Sequence, residues 1–359
     1  IPYYLSIYNI SFLNSYFESV SGITSTGFSI IKNINNIDEP LLLWRSSSQW
    51  LGGLFFLVAV IGTVGSKQIK INPAYLLPGA PSENIYNNFS SNFIRILFIY
   101  FVSTIFIIFL YNLTNIRFFD AFNLAFTVIS SGGFLSSNNL NNILNNDFQI
   151  LILSITLLFP ILNFFLFYNF FTRQFKFKNH HEDIHLLSIV IFLSLFLYFF
   201  LISNDGFAKV LLAVTSSIST SGIATESFYL NSDLLFILLT IVGGSLVSTT
   251  SGFKYVRFYI LFKISYQEIY RLVKPINIFN KNLFNNEAKI SEEDSKIAFL
   301  VFISFIILLF ILSSILSLDN LSFEDAFKLS ILTLTNTTAS SIYGFENFTF
   351  FDLNFFTKI

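Results

Sequence analysis

Four short clusters of serine, threonine, asparagine and glycine interrupt an otherwise apolar chain of 359 residues. They read Thr24-Ser25-Thr26-Gly27, Ser130-Ser131-Gly132-Gly133, Ser219-Thr220-Ser221-Gly222 and Thr335-Asn336-Thr337-Thr338. Each ends 13 residues after a matching polar anchor: Asn14 to Gly27, Asp120 to Gly133, Lys209 to Gly222 and Asp325 to Thr338. A dehydrated cation needs several oxygens in place of its water, and rings of backbone carbonyls supply them in ion filters. Glycine, without a Cβ, lets the backbone aim those carbonyls. Serine and threonine hydroxyls can hold the strand through local hydrogen bonds. A preceding short helix brings its negative pole near the ion. Four such segments are what one ion-binding ring would take from a single chain.

A second group of small polar residues breaks the apolar run 233–262: Gly243, Gly244, Ser245, Ser248, Thr249 and Gly252, followed by Lys254 and Arg257. It reads either as a flexible gate beneath a filter or as a packing kink between helices. Lys254 and Arg257 either tune ion flow from within the membrane or snorkel to the interface and pair with an acid.

The elements that must carry these residues are membrane helices. The chain is 53% hydrophobic and 11% charged, with a mean hydropathy of +0.67. Soluble domains carry about 25% charged residues, so an all-α polytopic membrane protein is expected. A net charge of −1 gives no reason to expect a nucleic-acid partner, and the absence of cysteine removes disulfides and thiolate metal sites. Six stretches, 41–66, 91–112, 148–171, 184–203, 233–262 and 296–317, are long and apolar enough to cross about 30 Å of hydrocarbon. Four shorter ones, 12–23, 119–130, 207–218 and 323–334, cannot span, and each runs into one of the oxygen-rich clusters. Short helices that stop at mid-membrane are re-entrant, and irregular backbone survives there only when protein or water lines it.

Cluster ends spaced by 106, 89 and 116 residues mark an internal repeat. The units of helix, pore loop and helix are 1–66, 91–171, 183–262 and 295–359, joined by 67–90, 172–182 and 263–294. The first unit lacks its leading helix and the last most of its closing one, so the chain reads as a fragment truncated at both ends. The stretches 67–90, 172–183 and 263–296 hold 11 basic residues against 4 in the opposite loops, which puts the connections in the cytoplasm and the clusters toward the outside.

With these residues in view, the chain resembles the TrkH/KtrB family of potassium transporters. Ser15 to Gly27 resembles the family's first pore loop, and Trp44 to Gly53 the outer end of the helix that follows. Phe119-Asp-Ala-Phe122 leading to Ser131-Gly-Gly-Phe134 resembles the second loop. Gly243 to Lys254, with Val256-Arg257 and Arg271 to Pro275, resembles the broken helix of the third unit. The resemblance implies four pore-loop units around a central potassium path and Gly27, Gly133 and Gly222 as filter glycines. It also implies gating by the 243–252 loop, residence in a bacterial cytoplasmic (inner) membrane, homodimers, and a cytosolic nucleotide-binding regulatory subunit. Potassium is then the transported ion, without organic cofactor, resident metal or catalytic residue, and membrane lipid is the surrounding partner. Thr338 departs, since the family usually has glycine there. A β-branched residue disfavours the strained backbone that glycine permits. An alternative register through Gly344 breaks the 13-residue interval. A poorly selective sodium and potassium transporter is the alternative function; an inverted-repeat carrier is disfavoured because the units share one orientation.

Three further features stay open. Glu18 either lowers the energy of a nearby cation or braces the first pore loop. Asp38, Glu39, Asp147, Asp205, Glu226, Asp233, Asp319 and Glu324 form either an acidic vestibule or ordinary solvated loop charge. His180, His181 and His185 beside Glu182 and Asp183 read as a hydrated cytosolic turn, with a metal site as the rival.

Overall fold

A computed structural model describes residues 2–64, 89–171, 180–200, 206–225, 233–273, 282–284, 290–319, 321–345, 348 and 350–358. The architecture is helical. Four helices share a length of 12 residues: α1 (Phe12–Ile23), α4 (Phe118–Ile129), α9 (Phe207–Ile218) and α13 (Phe323–Leu334). At 1.5 Å per residue each is roughly 18 Å long, well short of a bilayer's hydrocarbon thickness. Ser11 and Ser322 cap the first and last of them through side-chain oxygens, satisfying amide groups that no helical carbonyl reaches.

The longer helices are α2 (Glu39–Val64), α3 (Phe89–Leu113), α8 (His181–Phe200), α11 (Tyr255–Val273) and α12 (Glu292–Ser317). Stretches Phe93–Leu113, His181–Phe200 and Glu292–Ser317 are each long and apolar enough to cross a membrane. They turn Phe98, Phe109, Phe192, Phe199, Ile307 and Phe310 outward, as helices solvated by lipid do.

One expected span is not a single helix. The stretch 148–171 divides into α5 (Asp147–Thr156), α6 (Leu158–Ile161) and α7 (Phe164–Phe171), with a bend of 92°. Pro160 lacks an amide hydrogen, and Asn163 accepts from the Phe165 N–H at 3.0 Å, starting a new helix. The run 233–262 is broken as expected, into α10 (Asp233–Val242) and α11, with loop 243–254 between them. The expected cytoplasmic connection 263–294 begins as helix, because α11 continues to Val273. Residues 65–88, 172–179, 274–281 and 285–289 of the expected connections lie outside the described residues.

The short helices are the packing centres. α4 lies against α2 and α3; α9 against α5, α8 and α10; α13 against α12 and α10; and α1 against α2 and the last helix, α14 (Phe355–Lys358). Two apolar cores result. One gathers Val210, Val214, Phe236, Leu329 and Leu332. The other gathers Leu57, Tyr100, Leu124, Val128, Leu153 and Leu212.

Candidate ion filter and the loop beneath it

Each 12-residue helix ends in the same turn. Ser25 (φ 56°), Ser131 (φ 57°), Thr220 (φ 58°) and Asn336 (φ 44°) adopt the left-handed conformation. Their amides donate to Gly22, Val128, Ser217 and Thr333, and the next residues' amides donate to Ser21, Thr127, Ser216 and Leu332. This pair of bonds is the Schellman ending of a helix, which usually uses glycine at the left-handed position. No glycine stands there in any of the four. A threonine at positive φ is an outlier, and such strain persists only where the surroundings over-determine it.

Side-chain bonds supply that over-determination. Ser131 Oγ donates to Thr249 Oγ1 at 3.1 Å. The Ser251 amide donates to Thr220 Oγ1 at 3.1 Å. Asn336 Nδ2 donates to Ser251 Oγ at 3.2 Å, and its Oδ1 accepts from Thr26 Oγ1 at 3.3 Å. Ser25 Oγ donates to the Gln49 carbonyl at 3.3 Å. Three of the four left-handed residues therefore hold loop 243–254, and the fourth holds α2.

The four cluster ends meet. Gly27, Gly133, Gly222 and Thr338 share the wall of one cavity of about 570 Å³, with Arg45, Lys32 and Ser341 further out. A Cβ on Gly133 would stand 2.5 Å from the Ser221 carbonyl oxygen, and one on Gly222 would stand 2.3 Å from that of Thr338. Gly27 (φ 78°) and Gly222 (φ 68°) are left-handed, whereas Gly133 and Thr338 are not. This corrects the expectation for the fourth quarter. Thr338 meets no backbone strain, because that position does not use the conformation glycine alone tolerates. Gly344 (φ 85°) closes a turn elsewhere, against Asp233 and Lys328.

Glu18 is a brace. It is buried and accepts from Ser29 Oγ at 3.0 Å, the Ile30 amide at 2.9 Å and Arg45 Nε at 2.9 Å. Arg45 also stacks over the Phe134 ring, 4.1 Å from its centroid, and donates to Ser29 Oγ. Gln49 accepts from the Phe134 amide at 3.3 Å and occupies the space beside Gly132. Arg45 and Gln49 carry no role in the sequence reading. Their signal was available, since both stand in a polar run, Arg45 to Gln49, in the first half of a helix that is otherwise largely apolar.

Among the described residues, no Asp or Glu lines the cavity, whose wall includes Lys32 and Arg45. Glu39 pairs with Arg117, and Asp233 and Glu324 with Lys328. Asp205 and Glu226 lie outside the described residues.

Loop 243–254 closes on itself. The Phe253 amide donates to Ile241, and that of Tyr255 to Gly244. Gly243 (φ 66°) and Gly252 (φ 81°) cross too closely for side chains, since a Cβ on Gly243 would lie 2.4 Å from the Ser251 carbonyl oxygen. Lys254 is buried and does not snorkel to the interface. Its ammonium turns into the loop and donates to the Ser248 carbonyl at 3.2 Å, to Ser248 Oγ at 3.1 Å and to the Thr250 carbonyl. Arg257 donates back to the Phe253 carbonyl at 3.4 Å.

The loop also docks on the broken stretch between α6 and α7. The Ser245 amide donates to Ile161 and the Phe164 amide to Val247. Glu182 accepts from the Leu246 amide at 2.9 Å, and Asp183 from the Asn163 amide at 2.8 Å. His180 lies 3.1 Å from Asp183. His180, Glu182 and Asp183 are all buried, so the expected hydrated turn is instead a clamp on two helix breaks. Among the described residues, no group of three or more such side chains could hold a metal ion.

No protein-family model matches the chain. Over 291 residues it is 28% identical to the Trk system potassium uptake protein TrkG of Escherichia coli, covering 77% of this chain and 60% of that protein. The chain is similar to the Trk system potassium uptake proteins. A second relative, an uncharacterized cation transporter of Methanocaldococcus jannaschii, is 30% identical over 286 residues, covering 77% of this chain and 57% of its own length. The chain thus spans about three fifths of the curated Trk relatives it matches. The crystal structure of the potassium transporter TrkH from Vibrio parahaemolyticus superposes with a TM-score of 0.83 at 22% identity, covering 98% of this chain and 74% of that one. The chain therefore has the TrkH fold.

Proposed function

We propose that this chain forms a potassium uptake pathway across the cytoplasmic membrane, with one filter built from four quarters and a gate in loop 243–254. The convergence of Gly27, Gly133, Gly222 and Thr338 on one cavity carries the reading. Homology to Trk system potassium uptake proteins supports the choice of ion. The quarters are the units 1–66, 91–171, 183–262 and 295–359. Carbonyls of the four clusters offset the cost of dehydrating the cation, and throughput requires that binding stay loose enough for release. The reading assigns no covalent chemistry to the chain.

The gate reading rests on the loop's contacts. Thr249 and Ser251 tie it to three quarters, Lys254 staples its interior, and Glu182 ties it to α8. A loop held by several modest hydrogen bonds can be released by forces that would not unfold a helix. The partners of this reading, a second copy of the chain and a cytosolic nucleotide-binding subunit, follow the family resemblance.

Expression of the full-length protein in a potassium-uptake-deficient bacterial strain tests the function. Growth at low potassium, suppressed by excess rubidium more than by excess sodium, is the expected result. Absence of rescue by a protein that reaches the membrane overturns it.

A further inference from the structure

We propose that the side-chain hydroxyl of Thr338 is a specificity-determining oxygen of the filter, which shifts its preference toward smaller alkali cations. The inference rests on the filter reading above. The other three cluster ends are glycines, so Thr338 brings the side chain among the four ring-end residues. Its Oγ1 lies where two neighbouring side chains would begin. A Cβ built on Gly133 would be 1.6 Å from this oxygen, and one on Gly27 would be 2.0 Å from it. The hydroxyl therefore fills the gap between the first and second quarters on the wall of the shared cavity.

The same oxygen donates to the Thr26 carbonyl at 3.0 Å. That bond occupies an acceptor which a cation would otherwise use. A hydroxyl has one proton and two lone pairs, so its proton can swing away and present a lone pair instead. A cation at this level then meets the Thr338 hydroxyl and the Thr26 carbonyl as two oxygens 3.0 Å apart. Closely spaced oxygens suit a small ion and crowd a large one. Cavity size and ligand field strength, the two accounts of alkali-ion selectivity, act in the same direction here. Thr338 is not in a left-handed conformation, so exchange for serine, valine or glycine imposes no backbone strain of the kind that would confuse the result.

Rubidium and sodium uptake by the purified full-length protein in liposomes tests the inference. Thr338→Gly removes the oxygen and opens the space. It is expected to raise the rubidium-to-sodium uptake ratio roughly 3- to 10-fold, the change one oxygen ligand of ordinary hydrogen-bond strength would give. Thr338→Ser keeps the oxygen and is expected to keep the parent ratio. Thr338→Val keeps the volume without the oxygen and is expected to lower uptake of both ions. A parent ratio in both the glycine and valine variants, alongside robust parent uptake, overturns this inference alone. No cation uptake by the parent protein overturns the filter reading as well.

Discussion

Nε of Arg45 donates to Oε1 of Glu18 at 2.9 Å, with the side chains 1% and 0% exposed. The pair joins α2 to the first short helix, and Glu18 in turn holds Ser29 and Ile30 beyond Gly27. Removing one member of a buried ion pair strands the other charge, at a cost of about 3–5 kcal/mol. Glu18→Ala is expected to lower the thermal unfolding midpoint of the detergent-solubilised protein sharply. Glu18→Gln, which keeps an acceptor for Arg45, is expected to lower it less. A midpoint unchanged in Glu18→Ala removes the brace.

Loop 243–254 is tied to three of the four cluster turns by the left-handed residues Ser131, Thr220 and Asn336. Thr249→Ala loses the bonds to Ser131 and to the Ile129 carbonyl, and Ser251→Ala loses the acceptor for Asn336. Each lost bond is worth about 0.5–1.5 kcal/mol net. The double variant is expected to conduct more cation in the absence of any cytosolic partner, with an unchanged rubidium-to-sodium ratio. Flux measured in liposomes checks both, and unchanged basal flux argues against the latch.

Glu182 accepts the Leu246 amide from within the first turn of α8. Glu182→Ala leaves a buried amide unsatisfied, a penalty of about 1–3 kcal/mol. Faster hydrogen–deuterium exchange in peptides covering 243–254 is expected, without a matching change in peptides covering 323–334. Equal exchange in variant and parent shows that the clamp does not restrain the loop.

Much of this arrangement was legible in the sequence because it is written in spacing. The 13-residue interval located all four short helices and the cluster ends that meet at one cavity. The break at 243–254 was legible because Gly243, Gly244 and Gly252 interrupt an apolar run. The bend at Pro160 and Asn163 was missed, since that stretch kept its hydropathy through the break. Long-range pairings left no local mark: Glu18 with Arg45, Glu182 with Leu246, and Thr338 with Thr26 are separated by 27, 64 and 312 residues. The left-handed turns at Ser25, Ser131, Thr220 and Asn336 were equally hidden, because the usual sign of such a turn is a glycine that none of them has. Thr338 was read as a strained exception for the same reason, and only its backbone conformation reveals that the position tolerates threonine.

Gly27→Ser tests the central claim, that the four clusters form one selectivity filter, most directly. Gly27 sits at φ 78°, and a Cβ there would stand 3.0 Å from the Gly133 backbone. The substitution therefore strains the ring and crowds its neighbour. In liposomes bearing the full-length protein, the expected result is a fall in the potassium-to-sodium flux ratio with the protein still folded. An unchanged ratio at unchanged flux would contradict a filter at this ring.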